Sequence, residues 1–357
     1  MKSKQRAILV YVRQSNDGPR ASLQEFVQLC ESTDLDYIFF SRLNLREINP
    51  KTYLSKGLLE YLADCCQALK PDLLVFSTEL KAKHQRNLIK AIGGNTPIID
   101  INELVLDIFA QRANSHIGKI QVELAQLQHL STRLVGGWTH LERQKGGIGL
   151  RGPGEKQLET DRRLLRERIT RTKADLSKLK AHRERNLNVH RKGNVFQVAL
   201  VGYTNAGKST LFNALTGADT YAANQLFATP DPLVRKFKAE EPYPICLSDT
   251  VGFMSQLPPV LLEAFGATLD ELHYADLILH VIDSADADRT RKEQAVTKTL
   301  EDMQLTHKKL ITIFNKSDLS QQPPQQGCIF ISANAPTDIE KLRDMIIHAY
   351  QMTLPRR

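Results

Sequence analysis

The residues best suited to chemistry stand in short runs in the second half of the chain. Gly202-Tyr203-Thr204-Asn205-Ala206-Gly207-Lys208-Ser209 has the glycine, lysine and hydroxyl spacing of a phosphate-binding loop, with Thr210 opening a helical pattern behind it. Glycines let backbone N–H groups turn inward on α- and β-phosphates, Lys208 reaches the β- and γ-phosphates, and the Ser209 hydroxyl suits Mg²⁺. Asp249-Thr250-Val251-Gly252 has the DxxG spacing of a second phosphate motif: Asp249 holds Mg²⁺ and Gly252, without a Cβ, brings its N–H to the γ-phosphate. Between them, Phe227-Ala228-Thr229-Pro230 offers Thr229 as a second hydroxyl for the metal, although a lone loop threonine is also an ordinary turn residue. Lys208, Thr229 and Gly252 are the expected catalytic set.

Base identity is read further on. In Asn315-Lys316-Ser317-Asp318 the Asp318 carboxylate accepts the N1–H and exocyclic N–H of guanine, which adenine cannot supply, and the Lys316 stem covers the ring. Ser332-Ala333 offers backbone N–H groups for guanine O6. Each string is common alone. In this order, each at the C-terminal end of an apolar run, they predict a GTP- and GDP-binding, GTP-hydrolysing α/β domain. The position after Gly252 is Phe253, whose apolar side chain cannot orient the attacking water.

The elements needed to hold these runs are legible in the hydrophobic pattern. Strands are expected at 197–201, 244–248, 310–314 and 328–332. Ahead of them, short apolar runs at 7–12, 37–40, 72–76 and 97–101 alternate with helix-period stretches such as 57–69, predicting a small N-terminal α/β domain. Apolar residues from Ile108 to Leu134 recur at helical spacing and predict one long amphipathic helix over 103–134. The stretch 136–154 is glycine-rich and breaks it, and periodicity resumes over 155–185 before a polar linker at 186–194. The expected architecture is thus an α/β chain in three parts: an N-terminal α/β domain (1–104), a helical hairpin with a glycine-rich loop and linker (105–194), and a P-loop GTPase domain (195–357).

The 357-residue chain carries a net charge of +8, with 41% hydrophobic and 25% charged residues. That composition is globular, no apolar run approaches the length of a membrane span, and the expected compartment is cytoplasmic, with association to ribosomes or a membrane surface left open. Five scattered cysteines without a CxxC pair read as reduced structural thiols. Positive charge concentrates on the second hairpin helix, including Arg162, Arg163, Arg166, Arg168, Arg171 and Lys173, among fewer acids. This pattern fits a nucleic-acid surface first, with a solvated helix laced by i,i+4 pairs as the other reading.

Beyond the generic motifs, nearly the whole chain resembles the HflX family of translation-associated GTPases. The most specific segment is GGIGLRGPGEKQLETDRR (146–163); LDIFAQRA (106–113), KIQVELAQL (119–127), GYTNAGKST (202–210), FATPDP (227–232) and DTVGF (249–253) also match. Ser55, Lys156 and Pro230 depart from the family pattern. The resemblance implies a monomeric factor binding the large ribosomal subunit. The hairpin and glycine-rich tip, with Arg151, Arg162, Arg163, Arg166 and Lys173, would meet ribosomal RNA. GTP would control ribosome splitting, rescue or subunit assembly. Asn205 is similar to the asparagine with which certain related GTPases hold K⁺. Two other readings stand beside this one: the GTPase component of a tRNA-modifying complex, and a regulatory GTPase that binds only proteins.

Overall fold

A computed structural model describes residues 4–14, 23–33, 35–94, 96–113, 115–137, 153–192, 195–218, 233–239, 243–250, 252–254, 272–320 and 328–353. The chain divides into two compact units, one holding the first sheet and the greater part of two long helices, the other holding the second sheet.

In the first unit, strands β1 (Gln5–Gln14), β2 (Leu35–Leu45), β3 (Leu73–Phe76) and β4 (Ile98–Ile99) form a parallel sheet in the order β2-β1-β3-β4. Helices α1 (Leu23–Glu31), α2 (Lys56–Leu69) and α3 (Ala82–Ala91) are the crossovers that parallel neighbours require. Leu73, Leu74, Val75 and Phe76 are all buried, as a strand covered on both faces must be. Ile8, Val10, Leu62, Leu74, Phe76 and Leu88 close the core between sheet and helices.

The helix expected over 103–134 is two helices, α4 (Ile101–Arg112) and α5 (His116–Gly137). Ser115 accepts the Gly118 N–H on its Oγ at 2.9 Å, an N-cap that starts α5 afresh, which hydrophobic periodicity alone does not show. The boundary expected at residue 104 therefore lies inside α4. The second long helix, α6, runs Pro153–Lys192, through residues expected to form a linker; those residues contain no proline or glycine before Gly193, so nothing stops it. Pro153 sits at its first position, where a missing N–H costs nothing. Arg168 of α6 donates from both Nε and a terminal nitrogen to Glu123 Oε1 of α5, at 3.1 and 2.6 Å. Leu165, Thr172 and Leu176 make a buried stripe along α6.

The second unit is a six-stranded sheet in the order β10-β9-β8-β5-β7-β6, formed by β5 (Phe196–Gly202), β6 (Leu233–Lys236), β7 (Ile245–Asp249), β8 (Leu277–Asp283), β9 (Lys309–Asn315) and β10 (Ile329–Phe330). All pairings are parallel except that of β6, an edge strand antiparallel to β7. Helices α7 (Lys208–Thr216), α8 (Arg289–Asp302) and α9 (Pro336–Gln351) complete the unit. Leu211, Phe212 and Leu215 of α7 and Ile339, Leu342 and Ile346 of α9 share one core with Val198, Leu200, Leu277 and Leu279. Among the described residues, no helix is long and apolar enough to cross a membrane.

One polar cluster ties α5 to the first sheet. Asp100, fully buried, caps α4 by accepting the Asn102 and Glu103 N–H groups on Oδ1, and its Oδ2 accepts Leu80 N–H and an Arg133 terminal nitrogen at 2.6 Å. Arg133 also donates to the Leu80 carbonyl at 2.7 Å. Burial, with the Asp100 carboxylate adding to it, pushes the Glu103 carboxyl up to about 7, and Gln85 donates to that carboxyl at 3.3 Å. Removing the guanidinium leaves a buried carboxylate uncompensated. Arg133→Met is expected to cost about 3–5 kcal/mol of stability in denaturant unfolding of the full chain; an unshifted first transition would show that α5 is held by apolar packing alone.

Candidate guanine-nucleotide site

Four loops converge at the C-terminal edge of the second sheet, where open α/β sheets bind ligands. They follow β5, β7, β9 and β10, and β5 is the switch point: the chain next pairs β7 on one side and then β8 on the other. The phosphate loop leaves β5 so tightly against β8 that a Cβ on Gly202 would stand 2.2 Å from the Val281 carbonyl oxygen. Asn205 and Gly207 are left-handed, at φ +63° and +88°. These turns aim the loop's amides at the N-terminus of α7, where the helix dipole favours anions.

Lys208 is buried. Its ammonium folds back over the loop to donate to the Tyr203 carbonyl at 2.9 Å and the Gly202 carbonyl at 3.2 Å. Burial pushes its pKa down to about 8, against the pull of the Asp249 carboxylate. The Ser209 hydroxyl donates to Asp249 Oδ2 at 2.7 Å, and Asp249 is fully buried at the end of β7. A hydroxyl and a carboxylate so close, beside a phosphate loop, are the hard oxygen donors that Mg²⁺ selects, so these residues fit the metal that the fold implies. Gly252 sits against Thr204 and Lys208: a Cβ there would be 2.7 Å from Thr204 Cγ2 and 3.0 Å from Lys208 Nζ.

The segment after Gly252 is pinned to the phosphate loop. Thr204 N–H donates to the Phe253 carbonyl at 2.7 Å and Phe253 N–H to the Gly202 carbonyl at 3.0 Å. Phe253 is 1% exposed, its side chain packed into the interior.

On the base side, Asn315 is the joint between loops. Its side-chain amide donates to the Ala206 carbonyl at 2.9 Å, and its Oδ1 accepts Ala333 N–H at 3.0 Å. Lys316, left-handed at φ +60°, donates to the Asn205 carbonyl at 2.8 Å and pairs with Asp283 at 2.7 Å. Asp318 follows in a 3₁₀ turn, Ser317–Leu319.

The Ser332 and Ala333 amides, expected to face guanine O6, donate to Asp338 Oδ2 and Asn315 Oδ1 within the fold. Thr250 is fully buried and gives its hydroxyl to the Leu200 carbonyl at 2.6 Å, a tie between β7 and β5. Asp283, at the end of the strand next to the one that carries Lys316, is that lysine's partner, a functional contact that the sequence motifs do not show. His280, 3% exposed, is held neutral by burial and by Lys208, which together push it down to about 4. Of the expected site, Gly202 to Thr210, Asp249, Thr250, Gly252, Asn315, Lys316, Asp318, Ser332 and Ala333 share this edge. Phe227, Ala228, Thr229 and Val251 lie outside the described residues.

Of the basic set, Arg162, Arg163, Arg166 and Lys173 lie on α6 and Arg151 lies outside the described residues. Arg163 pairs with Glu167 within the helix at 3.7 Å. Arg166 and Arg171 are exposed and make no ion pair among the described residues.

Comparison with known proteins agrees with this geometry. Three family models match in sequence: GTP-binding GTPase N-terminal over 20–110, GTP-binding GTPase Middle Region over 112–189, and 50S ribosome-binding GTPase over 197–316. GTPase HflX of Escherichia coli (strain K12) is 45% identical over 315 residues, covering 88% of this chain and 74% of that protein. GTPase HflX of Caldanaerobacter subterraneus subsp. tengcongensis is 42% identical over 347 residues, covering 97% and 80%. A crystal structure described as a complex of SsGBP and GDP shares the fold, with a TM-score of 0.55 at 24% identity over 98% of this chain and 100% of that one. The phosphate loop, the DxxG and NKxD runs and relatives of this closeness lead to one conclusion: the chain belongs to the HflX family of GTPases, and its chemistry is the hydrolysis of GTP.

Proposed function

We propose that this GTPase binds the large ribosomal subunit and couples GTP binding and hydrolysis to ribosome splitting, rescue or subunit assembly. The observation that carries the reading is the concentration of arginine and lysine on α6, where Arg166 and Arg171 are exposed and make no ion pair among the described residues. Here Arg168 is spent on packing against α5, while Arg166 and Arg171 remain available to phosphates, with Arg162, Arg163, Lys173 and Arg151 beside them in sequence. The family model over the nucleotide unit, described as a 50S ribosome-binding GTPase, supports the same partner.

Within the site, Lys208 and the loop amides hold the triphosphate, and Asp318 and Lys316 take the guanine. Ser209, Thr229 and Asp249 would hold Mg²⁺, which neutralises charge on the β- and γ-phosphate oxygens. Asn205 would add a potassium ion beside the phosphates. With Phe253 buried, intrinsic hydrolysis is slow and the ribosome accelerates it; such activation is worth roughly 10³–10⁵-fold in other GTPases.

The test is GTP hydrolysis by the full chain alone, with large subunits, with 70S ribosomes and with unrelated RNA, using Lys208→Ala as control. Stimulation by ribosomal particles that fades between about 50 and 200 mM salt is expected, and no stimulation beyond that of unrelated RNA would reject the ribosomal reading. The same assay in potassium and in sodium chloride examines Asn205: faster hydrolysis in potassium is expected, and equal rates would remove the ion from the account.

A further inference from the structure

Hydrolysis joins a water oxygen to the γ-phosphorus as the bond from that phosphorus to the β–γ bridging oxygen breaks; GDP departs with the electron pair and the water's proton ends on phosphate. Something must fix the water in line. Phe253, at the position after Gly252, is buried with its backbone tied to the phosphate loop, so its side chain cannot serve.

Thr204, in the phosphate loop, carries a buried side-chain polar atom that the fold does not use. Thr204 is 6% exposed, and its Oγ1 is buried without a hydrogen-bond partner among the described residues. Its backbone N–H donates to Phe253, and Cγ2 and Cα pack where a Cβ on Gly252 would lie, at 2.7 and 2.8 Å. The same point is 3.0 Å from Lys208 Nζ, so Thr204 and Lys208 both lie close against Gly252. An unpaired buried hydroxyl destabilises a fold, and valine has the same shape without the cost. A threonine kept there at the expense of stability points to a ligand that completes it.

We propose that the Thr204 hydroxyl orients the attacking water, accepting one of its hydrogens and supplying the polar contact that Phe253 cannot. The inference rests on reading Lys208, Ser209 and Gly252 as the γ-phosphate end of the site. It makes Thr204 a catalytic residue of the hydrolytic step rather than a binding one, since nucleotide is already held by the loop amides and Lys208.

The experiment compares the full chain with Thr204→Val, Thr204→Ser and Lys208→Ala, reading single-turnover GTP hydrolysis, affinity for a fluorescent GDP analogue and the thermal midpoint. Thr204→Val should slow hydrolysis on the order of a hundredfold, the size of losing one preorganised polar contact. Its nucleotide affinity should be unchanged, its midpoint equal or higher, and Thr204→Ser should restore most of the rate. Hydrolysis by Thr204→Val at the parent rate would overturn the proposal. So would a parallel loss of affinity and rate that serine does not rescue, since Thr204 would then be a packing residue. Lys208→Ala separates the two levels: if it still binds nucleotide normally, the reading of the site itself fails, whatever Thr204 does.

Discussion

The second unit depends on one side-chain amide. Asn315 ends β9 and reaches in two directions, donating to the Ala206 carbonyl of the phosphate loop and accepting Ala333 N–H from the β10 loop. Loops from three strands are thereby fixed relative to one another before any nucleotide arrives. The tie needs room: a Cβ on Gly207 would lie 2.2 Å from the Asn315 side-chain nitrogen, so the glycine serves the contact with Asn315 as much as the left-handed turn. Lys316, one residue on, repeats the connection through the Asn205 carbonyl and is itself anchored by Asp283. Preorganisation of this kind moves the ordering cost of the loops from binding to folding.

Electrostatics follow from the same crowding. Lys208 is buried with carbonyls for company, and desolvation lowers its pKa while Asp249 opposes the shift. His280 beneath it is kept neutral, which avoids a second cation in the same low-dielectric space. An incoming triphosphate supplies the negative charge that this buried ammonium lacks. The first unit uses the opposite arrangement, a buried carboxylate at Asp100 answered by Arg133, and there the pair is closed and serves packing.

The nucleotide site was legible because its motifs encode backbone geometry. Gly202, Gly207 and Gly252 stand where a Cβ has no space, and Lys208, Ser209 and Asp249 stand at spacings that only a strand-loop-helix brings together. What stayed hidden depends on contacts distant in sequence. Asp283 and Asp338 look like surface acids until strand order puts one beside Lys316 and the other beneath Ser332 N–H. The edge strand β6 is mostly exposed, with a single partly buried residue at Leu233, so no alternation marks it. The break between α4 and α5 hangs on one serine cap, which the apolar period runs straight past. Thr204 was legible as a loop residue, yet its unpartnered hydroxyl is a fact of three dimensions.

The most direct test of the account is the affinity of Asn315→Ala for GDP beside that of the parent chain, measured by calorimetric titration with unfolding midpoints as control. Truncation leaves the Ala206 carbonyl and the Ala333 N–H without their partner, worth about 1–3 kcal/mol. The account predicts roughly a ten- to hundredfold weaker complex from a chain that still folds. Undiminished affinity would contradict it, since the phosphate and base loops would then hold their places without the tie.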